Sequence, residues 1–114
     1  MRNRLKLTFF AGALFLLSGC ESHEDHLKSL MRCGIAASDI GKGEWAVRTG
    51  SSAKNYIEKN GLDDTYKAKY LSYSKDIREE FSAMEAELGH YKAQDEKMRI
   101  ANSSSCQSDA FSSR

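Results

Sequence analysis

Residues 64–102 read DTYKAKYLSYSKDIREEFSAMEAELGHYKAQDEKMRIAN, and their spacing decides the fold class. Tyr66, Tyr70, Tyr73, Ile77, Phe81, Met84, Leu88, Tyr91, Asp95 and Met98 succeed one another at steps of four and three, with a single doubled step of four around Ile77. Nine of the ten are apolar or aromatic. A strand would alternate at every second residue, so this pattern is one face of a helix. Asp63 or Asp64 is placed to cap it, with acids favoured at the positive end of the helix dipole. Asp63 with Lys67 and Asp95 with Arg99 offer acid-before-base pairs one turn apart. Unbroken, the 39 residues would make a rod of about 58 Å at ~1.5 Å per residue. A compact domain of this size has a radius of gyration near 12 Å, so a bend is expected at Gly89-His90.

Two shorter helices are expected upstream. In the first, from about Asp25 to Ile40, Leu30, Cys33, Ala37 and Ile40 share a face, and Gly41-Lys42-Gly43 ends it. The second runs from about Glu44 to Asn60 with a stripe through Trp45, Thr49, Ser52 and Tyr56, flanked by Ala53 and Ile57. Gly50, Ser51 and Ser52 are poor helix formers in its middle, and Asn60-Gly61 stops it. The chain has no proline. The expected fold is all-α, a small helical hairpin or a three- to four-helix bundle closed by one disulfide.

The first twenty residues have a different character. Arg2, Arg4 and Lys6 precede an 11-residue apolar run, Leu7 to Leu17. A bilayer-spanning helix needs about 20 apolar residues, whereas a signal-peptide core of roughly 7–15 fits this run. The run ends in Leu17-Ser18-Gly19-Cys20, which resembles the lipobox of bacterial lipoproteins at all four positions. The resemblance implies cleavage before Cys20, diacylglycerol on its sulfur and acylation of the new amine. Several acyl chains anchor firmly where one holds only marginally. Glu21, rather than aspartate, after the lipidated cysteine implies sorting to the outer membrane, with the domain facing the periplasm.

Cysteine usage agrees with export. Setting Cys20 aside leaves Cys33 and Cys106, with 72 residues between them. An isolated pair in a small exported domain is most simply a disulfide, and no Cys-x-x-Cys redox motif is present. Chain entropy puts such a bridge at roughly 4.5 kcal/mol. The expected organisation is a signal peptide over 1–19, lipidated Cys20 with a polar tether over 20–26, a helical domain over 27–106 and a polar tail over 107–114.

Composition excludes some functions and leaves others. From Cys20 on, 14 basic and 16 acidic side chains give −2, without the basic stripe of a nucleic-acid binder. His23, Glu24, Asp25 and His26 are ligand types, but a structural metal site needs convergent ligands on a rigid frame, so no metal or other cofactor is expected. Asp76, Glu79, Glu80, Glu85 and Glu87 read as a solvated helix face, not as the paired carboxylates of a hydrolase. His90 has no Gly-x-Ser-x-Gly elbow to serve. The expectation is a non-catalytic, outer-membrane-anchored module that binds an envelope protein, similar in size and layout only to pilotins and periplasmic immunity proteins; an exclusion role belongs to the same class. The competing expectation is a structural or stress lipoprotein without a discrete partner, and a periplasmic enzyme is the remote alternative. Trp45, Tyr56, Tyr66, Tyr70 and Tyr73 form the candidate binding face, since tyrosine and tryptophan are favoured at interfaces.

Overall fold

The computed structural model describes residues 22–112, so the signal peptide and Cys20 lie outside the described residues. Four α-helices succeed one another: α1 (His23–Asp39), α2 (Gly43–Lys59), α3 (Asp64–Leu88) and α4 (His90–Ala101). A short π-helical turn, Cys106–Ala110, comes after them. The fold is all-α, with no strand among the described residues, and Cys33 is bonded to Cys106 with Cα atoms 5.6 Å apart.

Helix α1 is the centre of the bundle and touches every other element. It is buried on more than the one stripe its spacing suggests: Leu27, Leu30 and the whole run Cys33–Ala37 are inaccessible. A helix surrounded by others must be apolar or small all round, and Cys33-Gly34-Ile35-Ala36-Ala37 meets that condition. Gly34 faces Thr49 so closely that a Cβ there would lie 3.1 Å from the threonine methyl. The glycine therefore sets how near α1 and α2 approach. Thr49 is itself buried, and its hydroxyl donates to the Trp45 carbonyl at 2.9 Å.

The start of α1 departs from the expected tether. Ser22 is the N-cap, its Oγ accepting from the Asp25 amide at 3.0 Å, and His23–His26 form the first turn. Their polarity suggested a solvated spacer, but they find polar partners on α2 and α3. Helices α1 and α2 end alike: Lys42 N–H donates to the Ala37 carbonyl at 2.8 Å, and Leu62 N–H to the Ile57 carbonyl at 2.9 Å. Such six-to-one bonds satisfy the last carbonyls of a helix.

The long periodic stretch breaks at Gly89, whose φ of +89° is a conformation that side chains with a Cβ rarely adopt. Up to the break the expected face is inward: Tyr73, Ile77 and Phe81 are buried, with Tyr66, Tyr70 and Met84 packed at the edge of the core. Beyond it the expected face is lost. Leu88, the last residue before the break, is already exposed; after it Tyr91 and Met98 are exposed, Tyr91 at 84%, and α4 instead buries Ala93, Lys97 and Ala101. A non-helical residue resets the direction in which the next helix points its side chains, and α4 packs through small residues plus one lysine. Lys97 Nζ lies 3.0 Å from Asp39 Oδ2 and 5.6 Å from the Phe81 ring centre.

Two further expectations change. Asp63 is the N-cap of α3, so Lys67 pairs with Asp64 at 3.7 Å, and Arg99 pairs with Glu96 rather than Asp95. The polar tail also folds back: Ala110 and Phe111 are buried, Phe111 stacks on Trp45 with ring centres 4.9 Å apart, and Ser52 Oγ donates to the Ala110 carbonyl at 2.8 Å. The disulfide delivers this segment to α2, and an aromatic pair holds it there. A bidentate Arg32–Glu80 pair, 3.0 and 3.1 Å, ties α1 to α3 at the surface.

Candidate interaction surface

The five aromatic residues expected on one binding face occupy three separate places, and none is fully exposed. Trp45 is covered by Phe111 on one side, with the Lys42 ammonium 5.1 Å from its ring centre. Tyr56, Tyr66 and Tyr73 gather around the first turn of α1. His23 Nδ1 and the Tyr56 hydroxyl are 2.7 Å apart, and the His26 ring stacks on Tyr56 at 4.2 Å. Tyr66 meets His23 edge-on at 6.1 Å. Tyr73 is only 4% exposed and donates its hydroxyl to Glu24 at 3.1 Å. Burial, together with the Glu24 carboxylate beside it, pushes the Tyr73 hydroxyl up to about 12. These three tyrosines thus brace the bundle at the N-terminal end of α1.

Tyr70 is the exception, because it borders a groove between α2 and α3 of about 320 Å³. Burial pushes its hydroxyl up to about 12 as well. From α2 the groove is lined by Gly50, Ala53, Lys54 and Ile57, and from α3 by Lys67, Tyr70 and Leu71. Ala53 and Ile57 form a buried floor, while Leu71 stands 69% exposed on the wall. One step of three before Gly50, Val47 is 71% exposed. A lone exposed apolar residue is ordinary. Leu71 on the wall of a concave apolar strip, with Val47 outside the lining one helical turn before Gly50, forms a surface suited to a partner's side chains.

Small residues make the groove. A Cβ at Gly50 would meet nothing within 4 Å, so that position is open space. Gly50, a poor helix former in the middle of α2, is here the low point of the groove's wall. Lys54 and Lys67 stand in the lining and no acidic residue does. Lys67 reaches Asp64 only at 3.7 Å, and Lys54 has no ion pair among the described residues.

A second concavity, about 230 Å³, is polar and lined in part by Asp39, Arg78, Ser82, Glu85 and Lys97. Within it Asp39 pairs with Lys97, and Glu85 contacts His90 outside the lining, each at 3.0 Å. Among the described residues no three histidine, cysteine or carboxylate side chains are grouped to hold a metal ion, and no helix is long and apolar enough to cross a membrane. No family model, curated protein or solved structure matches this chain.

Proposed function

We propose that the protein is an envelope lipoprotein, anchored to the outer membrane through lipid on Cys20, whose periplasmic helical domain binds another protein in the groove between α2 and α3 without catalysing a reaction. The observation that carries this reading is the groove itself, an apolar strip with a buried floor and with Leu71 exposed on its wall. Interfaces concentrate their energy in a few anchors that are desolvated on binding, tyrosine among the favoured types, and Tyr70 borders this groove.

The start of α1 sharpens the geometry of the proposal. Only Glu21 separates Cys20 from the Ser22 cap, so the domain would sit within about 10 Å of its lipid, at ~3.3–3.6 Å per extended residue. His23 contacts Tyr56 and Tyr66, which places the α2–α3 connection at this end. The groove would then begin near the bilayer surface and rise away from it, where it meets envelope proteins rather than substrates arriving from bulk solution.

The test compares two exposed apolar positions. Leu71→Asp should leave thermal unfolding within the small range of surface changes, about 0.5 kcal/mol, yet abolish crosslinked capture of the envelope partner by the anchored protein. Tyr91→Asp, on α4 and away from the groove, should alter neither. If both variants capture as the parent does, the groove is not the binding surface.

A further inference from the structure

We infer that the occupant of the α2–α3 groove is an amphipathic α-helix whose apolar stripe is flanked by aspartate or glutamate. The inference rests on the protein-binding reading above and names the partner's chemistry. The groove's shape and lining select that chemistry from the known modes of peptide docking.

Peptide recognition by strand addition needs an exposed sheet edge, and the described residues contain no strand. Polyproline segments dock on grooves lined by several aromatics, whereas this one has only Tyr70. Phosphorylated or strongly acidic motifs call for clustered arginines, and no arginine lines it. A helix laid in a groove remains, and the dimensions suit it. Gly50, Lys54 and Ile57 recur at +4 and +3 along α2, so the strip spans about 10 Å at ~1.5 Å per residue. That accepts about two turns of a docked helix. Gly50 lowers the α2 wall above the floor of Ala53 and Ile57, and Leu71 and Tyr70 supply the opposite wall.

Charge decides the flanks. The lining holds two lysines and no acid, and Lys54 has no ion pair among the described residues. A helix with basic flanks would meet like charge, which disfavours wrong partners, whereas acidic flanks complement both rims and speed encounter.

The experiment uses the full lipid-anchored chain in its own envelope. Leu71→p-benzoylphenylalanine places a photocrosslinker on the exposed wall, and the adduct is sequenced by mass spectrometry. The expected adduct is a protein segment with apolar residues at i, i+3 or i+4, and i+7, with Asp or Glu beside them. Adding Lys54→Glu and Lys67→Glu should lower adduct yield about tenfold, the effect of juxtaposed like charge, with unchanged thermal unfolding. An adduct on a protein segment that is basic or extended, or a yield indifferent to charge reversal, overturns the acidic-helix inference and leaves the protein-binding reading standing. An adduct on a second copy of this chain overturns the inference unless the crosslinked segment has the stated pattern. An adduct on lipid, or none, overturns both.

Discussion

Lys97 on α4 and Asp39 at the end of α1 form an ion pair at 3.0 Å in which the lysine side chain is only 8% exposed and the aspartate 28%. A buried ammonium is costly to strand, because its partner's removal leaves desolvation uncompensated. Asp39→Ala should therefore destabilise the domain by about 2–4 kcal/mol, toward the lower part of the range for broken buried pairs because Asp39 keeps some water. Lys97→Met retains the apolar stem and removes the charge, and should cost less than about 1.5 kcal/mol. Urea unfolding of the two variants checks the order; equal losses would mean the pair is not what holds α4.

The approach of α1 to α2 is governed by Gly34 and Thr49. Gly34→Val adds two further methyl groups beyond a Cβ that already lies 3.1 Å from the Thr49 methyl, so overpacking should cost about 1–3 kcal/mol. Thr49→Ser removes that methyl and keeps the hydroxyl bonded to Trp45. Built into the Gly34→Val chain, it should recover part of the loss, a coupling that a double-mutant cycle by thermal unfolding would measure.

The disulfide and the single tryptophan report on the same segment. Cys106→Ser with Cys33→Ser should cost about 4 kcal/mol from the unfolded state's regained freedom. It should also release Phe111 from Trp45, so the emission of the chain's one tryptophan shifts to the red before the helices unfold. Emission unchanged until global unfolding would show that the C-terminal turn holds without its bridge.

Alkaline titration separates the tyrosines. Tyr70 and Tyr73, each pushed up to about 12, should ionise roughly two units above free tyrosine, whose pKa is ~10. A hydroxyl whose pKa is raised by folding stabilises the fold fully below pH ~10 and loses none of the cost of ionisation to the unfolded chain there; above pH ~10 the unfolded state ionises first, so stability falls as pH climbs toward ~12. Ultraviolet absorbance should show a late step tied to unfolding, and Tyr73→Phe should shrink it. If Tyr73→Phe leaves the late step intact, Tyr73 is not held buried beside Glu24 in solution as it is here.

Much of this architecture was legible in residues 64–88, because an unbroken series of steps of three and four from Tyr66 to Leu88 permits one secondary structure and Gly89 marks its end. The register after Gly89 was not legible. A residue at φ +89° rotates the next helix by an amount that spacing does not encode, so Tyr91 and Met98 turned outward while Ala93 and Lys97 turned in. Composition misled at both ends of the domain. The polar His23–His26 turn docks through ring and hydroxyl partners far along the chain, such as Tyr56, 33 positions from His23. The serine-rich tail hid one aromatic, Phe111, that matters. The groove had a faint signal: Leu71 is a large apolar residue off the inward face, and Gly50 interrupts a helix that would have formed better without it.

The direct test of the binding claim is to fill the groove without touching the core. Gly50→Trp places a large ring where a Cβ meets nothing within 4 Å and replaces a helix-weakening residue, a change that should raise or preserve the melting temperature. The measurement is crosslinked partner recovered by anchored Gly50→Trp protein beside the parent, at matched expression and with thermal unfolding recorded for both. The predicted result is a fold at least as stable and partner recovery reduced to background. A stable Gly50→Trp protein that recovers its partner undiminished would contradict binding in the groove.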